Sequence, residues 1–216
     1  MENILVAGAN GTTGKQIVNL LNASQYFKPI AMVRKAEQKK QFEAENIETV
    51  LADLEEDLNH VFDNNKTIDK VLFAAGSGGK NVFKVDQDGA KRLIDASKAN
   101  NIKKFVMLSS MGADKPEEAN KLHDYLKAKH NADEYLKSSG LNYSIVRPGT
   151  LTNNAAEHKI KLEESLNEHG EISRADVAQT LVKVLNDDTA NKATFEIIKG
   201  HTLIGEALNK FSTVVY

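Results

Sequence analysis

The sequence predicts an α/β protein built on one doubly wound parallel sheet in three layers. Three observations carry that reading. Seven apolar runs of strand length recur along the chain, they are nearly continuous rather than alternating, and segments of helical periodicity stand between them. Continuous apolar runs belong to strands covered on both faces. Strand–helix alternation then closes through right-handed crossovers. With 216 residues and no repeat, low-complexity tract or linker, residues 1–216 are expected to form one domain.

The elements follow in order. A first strand is expected over 3–8, and "TGKQIVNLLNAS" then sets Ile17, Leu20 and Leu21 on one helical face. Strands over 28–34, 48–54 and 70–76 come next, followed by "DGAKRLIDASKAN", which aligns Leu93, Ile94 and Ser97. A strand over 103–110 leads to the longest helical segment, "NKLHDYLKAKHNADEYLKSSG", which stops at Gly140. After a strand over 142–149, Ser173 with Asp176 three residues on marks the start of a last helix, before a strand over 193–200. Pro29, Pro116 and Pro148 fall at strand starts or in loops.

Composition narrows the function. The 28 basic and 30 acidic side chains nearly cancel to −2, which offers no field for nucleic acid or an anionic membrane. There is no cysteine, so no disulfide, thiolate metal site or cysteine nucleophile is available. The six histidines show no metal-ligand spacing, so no metal is expected. No G-x-S-x-G elbow supports a hydrolase. An acid stands where a secretory signal needs positive charge, and no apolar run approaches the ~20 residues of a membrane span. A cytoplasmic protein is expected.

The first strand runs into "GANGTTG", with Gly8, Gly11 and Gly14 three residues apart. Glycine is costly to order, so a fixed triplet between a buried strand and an amphipathic helix asks for a cause. Gly8 permits the turn, Gly11 admits a pyrophosphate to the main chain, and Gly14 lets helix and strand pack closely. The helix start offers free N–H groups and the positive end of its dipole. Asn10, Thr12 and Thr13 complete this loop. A Rossmann-type dinucleotide site is expected.

The second strand selects the dinucleotide. About 20 residues beyond the last glycine, where an NAD site carries an acid for the ribose 2′-hydroxyl, stand Arg34 and Lys35. A guanidinium grips a 2′-phosphate that a carboxylate would repel, which favours NADP over NAD. Solvated strand-end charges are the plainer reading of the pair. Small residues Ala74, Ala75 and Gly76 end the fourth strand, where they let a nucleoside lie against the backbone.

The fifth strand ends in Ser109 and Ser110, and Tyr125 stands four residues before Lys129. On a helix that spacing stacks both side chains on one face. An ammonium beside a phenol favours its ionised form, which suits proton transfer. Ser110 could hydrogen-bond a substrate carbonyl. Lysine-rich helices also produce such pairs by chance, and His123 reads as a surface residue.

The glycine loop, Ser110/Tyr125/Lys129 and "SIVRPG" together resemble the short-chain dehydrogenase/reductase superfamily. Within it, the chain is similar to the small atypical NAD(P)H-binding branch that includes epimerase-like proteins, flavin and biliverdin reductases and redox sensors. "GEISRADVAQTLVKVL" carries that likeness furthest. The resemblance implies that Asp53 and Leu54 sit at the adenine, Tyr125 acts as acid/base, Ser110 orients the carbonyl, and Lys129 also holds the nicotinamide ribose. It further implies that Arg147, Pro148 and Gly149 lead the chain past the nicotinamide. Asp86 departs from the pattern, standing where extended members commonly carry asparagine.

The expected activity is NADP-dependent hydride transfer to a small carbonyl, quinone or flavin-like substrate, with a segment at about 150–172 shaping the substrate side. Two alternatives stay open: a non-catalytic NADP(H) sensor that reports to a protein partner, and an NAD-dependent epimerase or isomerase.

Overall fold

The computed structural model describes residues 1–63 and 67–212. The seven expected strands form as β1 (Glu2–Ala7), β2 (Phe27–Val33), β3 (Glu48–Leu51), β4 (Lys70–Phe73), β5 (Lys104–Leu108), β6 (Tyr143–Pro148) and, in chain order, β10 (Ala193–Lys199). Between β6 and β10 lie three short strands, β7 (Thr150–Thr152), β8 (Lys159–Glu163) and β9 (Glu171–Ser173), and β11 (Thr202–Leu203) follows β10. The main sheet has nine strands in the order β11-β8-β10-β6-β5-β4-β1-β2-β3. Pairing is parallel from β3 across to β10, while β8 and β11 add an antiparallel edge. β7 and β9 make a separate two-stranded ladder.

Alternate residues of each strand feed different cores, which is why the runs are apolar throughout. Ile4, Val6, Leu72, Val106 and Val146 face one cluster with Ile17, Val18 and Leu21 of α1 (Thr12–Asn22) and Val177 and Leu181 of α5 (Arg174–Lys183). Leu5, Ala7, Val71, Phe73, Phe105 and Met107 face the other, with Leu93 and Ile94 of α3 (Ala90–Ala99) and Ala132 and Leu136 of α4 (His123–Ser138). Helices on both faces make the three expected layers. A further helix, α2 (Ala36–Ala44), is mostly polar and buries only Phe42. A short α6 (Ile204–Leu208) ends the described fold.

Local signals explain the boundaries. The Asp176 N–H donates to Ser173 Oγ at 3.0 Å, capping α5. Gly140, at φ +86°, ends the turn beyond α4. One element is unusual: Val82–Gly89 forms a π-helix that leads into α3. Such wide turns are rare and gather at functional sites. Among the described residues no helix is long and apolar enough to cross a membrane.

Candidate active site

The strand order reverses between β1 and β4, and there the carboxyl ends of the sheet open a crevice, the usual ligand position in such folds. A cavity of about 660 Å³ fills it. Its floor is the glycine loop: Gly8, Asn10, Gly11, Thr12 and Thr13 all line it. Gly8 has φ +84°, and a Cβ there would come within 2.6 Å of the Ala75 backbone. A Cβ at Gly14 would lie 2.0 Å from the Gly8 carbonyl oxygen, so Gly14 lets α1 pack on the loop without itself lining the cavity.

This floor suits a diphosphate. No side chain caps α1 and its first turn holds no acid, so its N–H groups and positive pole stay open to an anion. Asn10 Oδ1 is buried without a partner. A buried polar atom left unbonded costs about 1–3 kcal/mol; as an acceptor it would be satisfied by a ligand hydroxyl, such as a ribose one, rather than by the diphosphate itself.

At one end of the cavity stand Arg34, Asp53 and Leu54, with Ala74, Ala75 and Gly76 along the wall. Arg34 is exposed, and its guanidinium has no bond to a described residue. Gln38 Oε1 accepts from the N–H groups of Arg34 and Lys35 at 3.1 and 3.0 Å, fixing the turn between β2 and α2. Lys35 sits at the N-cap of α2, outside the cavity lining. Asp53 Oδ1 accepts from the Glu55 N–H at 3.0 Å, so it forms a local turn while facing the cavity.

At the other end stand Tyr125 and Lys129, one turn apart on α4. Lys129 is only 3% exposed. Its ammonium donates to the Leu108 carbonyl at 3.2 Å, lies 3.7 Å from Asp86 Oδ1, and sits 5.8 Å from the centre of the Tyr125 ring. Asp86, on the π-helix, also accepts from the Ser77 N–H at 3.0 Å. The carboxylate thus ties the loop after β4 to the lysine and supplies its counter-charge, which an asparagine would not.

Of the two serines after β5, Ser109 lines the cavity and Ser110 does not. Ser110 Oγ donates to the Met111 carbonyl at 3.3 Å. The Ser109 hydroxyl donates to Asp133 Oδ2 at 2.8 Å, and the same oxygen accepts from Arg147 Nε at 3.0 Å and lies 2.9 Å from Arg147 Nη2. Asp133 is fully buried, and burial pushes its carboxyl above the usual range against the pull of Arg147, Ser109 and Lys129. Arg147 and Pro148 are buried in β6 and lie outside the lining, so here the "RPG" stretch braces the site from behind.

Of the segment 150–172, Leu151 lines the cavity, while β8 joins the sheet edge against β10. Arg174, at the start of α5, also lines the cavity and donates to Asn153 Oδ1 at 2.9 Å. His123 is an exposed residue at the start of α4, 3.2 Å from Asp124. Among the described residues no three His, Cys, Asp or Glu side chains gather where a metal could sit.

Sequence reasoning passed over Asp133, Arg174, Lys80 and Asn81, all now in the site or directly behind it. Arg174 was within reach, inside the quoted "GEISRADVA". Asp133 was not, because its partners lie 24 and 14 residues away in sequence.

Comparison with known proteins agrees with this geometry. A Bacillus subtilis protein described as an uncharacterized sugar epimerase, YhfK, is 39% identical over 212 residues, covering 96% of this chain and 99% of its own. A solved Bacillus halodurans structure, described as an NAD-dependent epimerase/dehydratase, shares 34% identity at a TM-score of 0.90 over 97% of this chain and 100% of that one. The Lactococcus lactis oxidoreductase ylbE shares 30% identity at a TM-score of 0.86, over 96% and 95% of the two chains. The family model described as NAD(P)H-binding matches residues 8–188. The chain therefore belongs to the NAD(P)H-binding family, on a Rossmann-type fold.

Proposed function

We propose that this protein is an NADP-dependent oxidoreductase that reduces a carbonyl, quinone or flavin-like acceptor. The observation that carries the reading is one continuous cavity. It joins an uncapped helix start, an unpaired Arg34 and the Tyr125–Lys129 pair. The oxidoreductase described from Lactococcus lactis supports it as a relative of similar size.

When bound, the nicotinamide supplies a hydride, two electrons with one proton. Gly8, Gly11 and the first turn of α1 hold the diphosphate, and Arg34 faces the adenosine end, where a 2′-phosphate suits its free guanidinium. The Tyr125 hydroxyl donates the proton that completes reduction and recovers it from water. Lys129, held by Leu108 and Asp86, keeps positive charge beneath the acceptor side.

The test is NADPH oxidation against carbonyls, quinones and flavins, with equilibrium titration of both cofactors. NADPH is expected to bind at least about tenfold more tightly than NADH, since a charge-assisted phosphate contact is worth roughly 1.5–3 kcal/mol. Tyr125→Phe should lower kcat by about 10²–10⁴ without weakening NADPH binding. Equal cofactor affinities would remove the role of Arg34, and full activity in the variant would remove that of Tyr125.

A second reading, a sensor of NADP(H), draws on Ser109. Its proton is committed to Asp133, so Ser109 has none to give a substrate carbonyl; the Oγ of Ser77, the other serine of the lining, is buried and unpartnered. Within the enzyme reading, the committed Ser109 proton favours quinone or flavin-like acceptors. Ser109→Ala should then leave kcat within about threefold, whereas a loss of 10²-fold or more marks carbonyl chemistry. The epimerase named for two relatives needs tightly held NAD, against which Arg34 weighs.

A further inference from the structure

Beside the cofactor cavity lies a second cleft of about 550 Å³, walled by the π-helix and the start of α4. Lys80, Asn81 and Tyr125 line both spaces, so the cleft opens onto the proposed proton donor. Its apolar surface comes from Val82, Phe83, Leu122 and Tyr125. Phe83 is 42% exposed and Leu122 58%, an unusual exposure for such large side chains in one place.

Charge marks the rim. Lys80, Lys84 and Lys121 line the cleft, and none has an ion pair or hydrogen bond to a described residue. Nearby lysines do find partners: Lys127 lies 3.5 Å from Glu117 and Lys115 4.0 Å from Glu118. The cleft's one acid, Asp124, lies 3.2 Å from His123 Nδ1. Two aromatic rings and aliphatic side chains under three uncommitted ammonium groups form a surface complementary to an apolar anion.

We propose that this cleft is the acceptor subsite, and that the acceptor has a flat apolar body carrying an anionic group held by Lys84 and Lys121. The placement rests on the oxidoreductase reading above; the charge preference rests on the cleft alone. Lys80 also borders the cofactor cavity and serves whichever anion lies nearer.

FMN and riboflavin test this cleanly, because they share one ring system and differ by a phosphate. Each is titrated by fluorescence quenching into protein saturated with NADP+, which blocks the nucleotide cavity. FMN should bind about tenfold more tightly than riboflavin, and the gap should close at 1 M salt, where screening acts within ~3 Å. In the double variant Lys84→Glu/Lys121→Glu the gap should vanish or invert. Both positions are exposed and make no bond to a described residue, so the thermal midpoint is expected to stay put.

Equal affinity for the two flavins overturns the proposal, as does a gap that survives the double variant or no binding of either at millimolar concentration. NADPH oxidation with each flavin reads the other question. A charge-dependent FMN affinity without turnover of either flavin, carbonyls or quinones keeps the anion-binding cleft and defeats the oxidoreductase reading. Turnover that ignores the phosphate does the reverse.

Discussion

At the amino ends of β4 and β5, Lys70 and Lys104 are each 1% exposed, and their ammonium groups are bonded on several sides. Lys70 reaches Glu2 at 2.6 Å, Asp187 at 2.6 Å and the Leu185 carbonyl at 2.7 Å. Lys104 donates to the carbonyls of Asn186 and Thr189 at 3.1 and 2.5 Å. These carbonyls lie in the turns after α5, so the lysines fasten that segment to the sheet. At the carboxyl ends of the same sheet, Arg34 and Lys80 face the cavity with no described partner. A buried charge whose bonds are complete belongs to the fold, whereas one left incomplete beside a cavity marks where a ligand belongs.

Four substitutions sharpen or break that contrast. Asp133→Ala should have the largest effect on stability, about 3–5 kcal/mol by denaturant unfolding, because it removes the close partner of the buried Arg147 and leaves it Asp114 at 3.8 Å. It tests whether a completed network at the ligand end also serves the fold. Lys70→Met should cost about 2–3 kcal/mol by orphaning the Leu185 carbonyl and leaving Glu2 with Lys103 as its remaining lysine partner, with NADPH affinity unmoved in a titration. A change in cofactor affinity there would break the division between the two ends.

Arg34→Ser should act the other way. The thermal midpoint holds, and the preference for NADPH over NADH falls about 10–100-fold, or roughly 1.4–2.8 kcal/mol.

Lys104 gives the smallest effect and a pH signature. Burial, with the Lys70 cation beside it, pushes its ammonium down to about 8. Between pH 8 and the ordinary lysine value of 10.5 the unfolded chain then binds more protons than the folded one. Stability therefore rises with pH across that window and is lost as pH falls through it, by up to about 1.4 kcal/mol per unit. The two carbonyl bonds oppose this, so a total near ~1 kcal/mol is expected. Lys104→Met should show a flatter profile in denaturation at pH 8 and pH 10.

The same contrast explains what could be read from the sequence. Strands, their order and the glycine loop were legible because burial on two faces and a tight turn leave patterns within a few residues. Helix α2 left none: AEQKKQFEA buries one side chain and is fastened by Gln38 to the preceding turn. Strand β8 had a period-two signal, Ile160 and Leu162 between lysines and an acid, hidden in a polar stretch. Ser109 and Ser110 are adjacent, and only the pleat of β5 decides which one faces the cavity. The Ser109–Asp133–Arg147 network joins three elements, so no local window contains it.

The π-helix of Val82–Gly89 has a consequence for how this chain tolerates change. Val85 and Asp86 line the larger cavity while Phe83 and Lys84 line the second cleft, so one extra-wide coil furnishes two neighbouring chambers. Deleting a single residue there, to restore ordinary α-helical winding, would swing each of those side chains by about 100°. A surface stretch that elsewhere would accept shortening is here locked to its length.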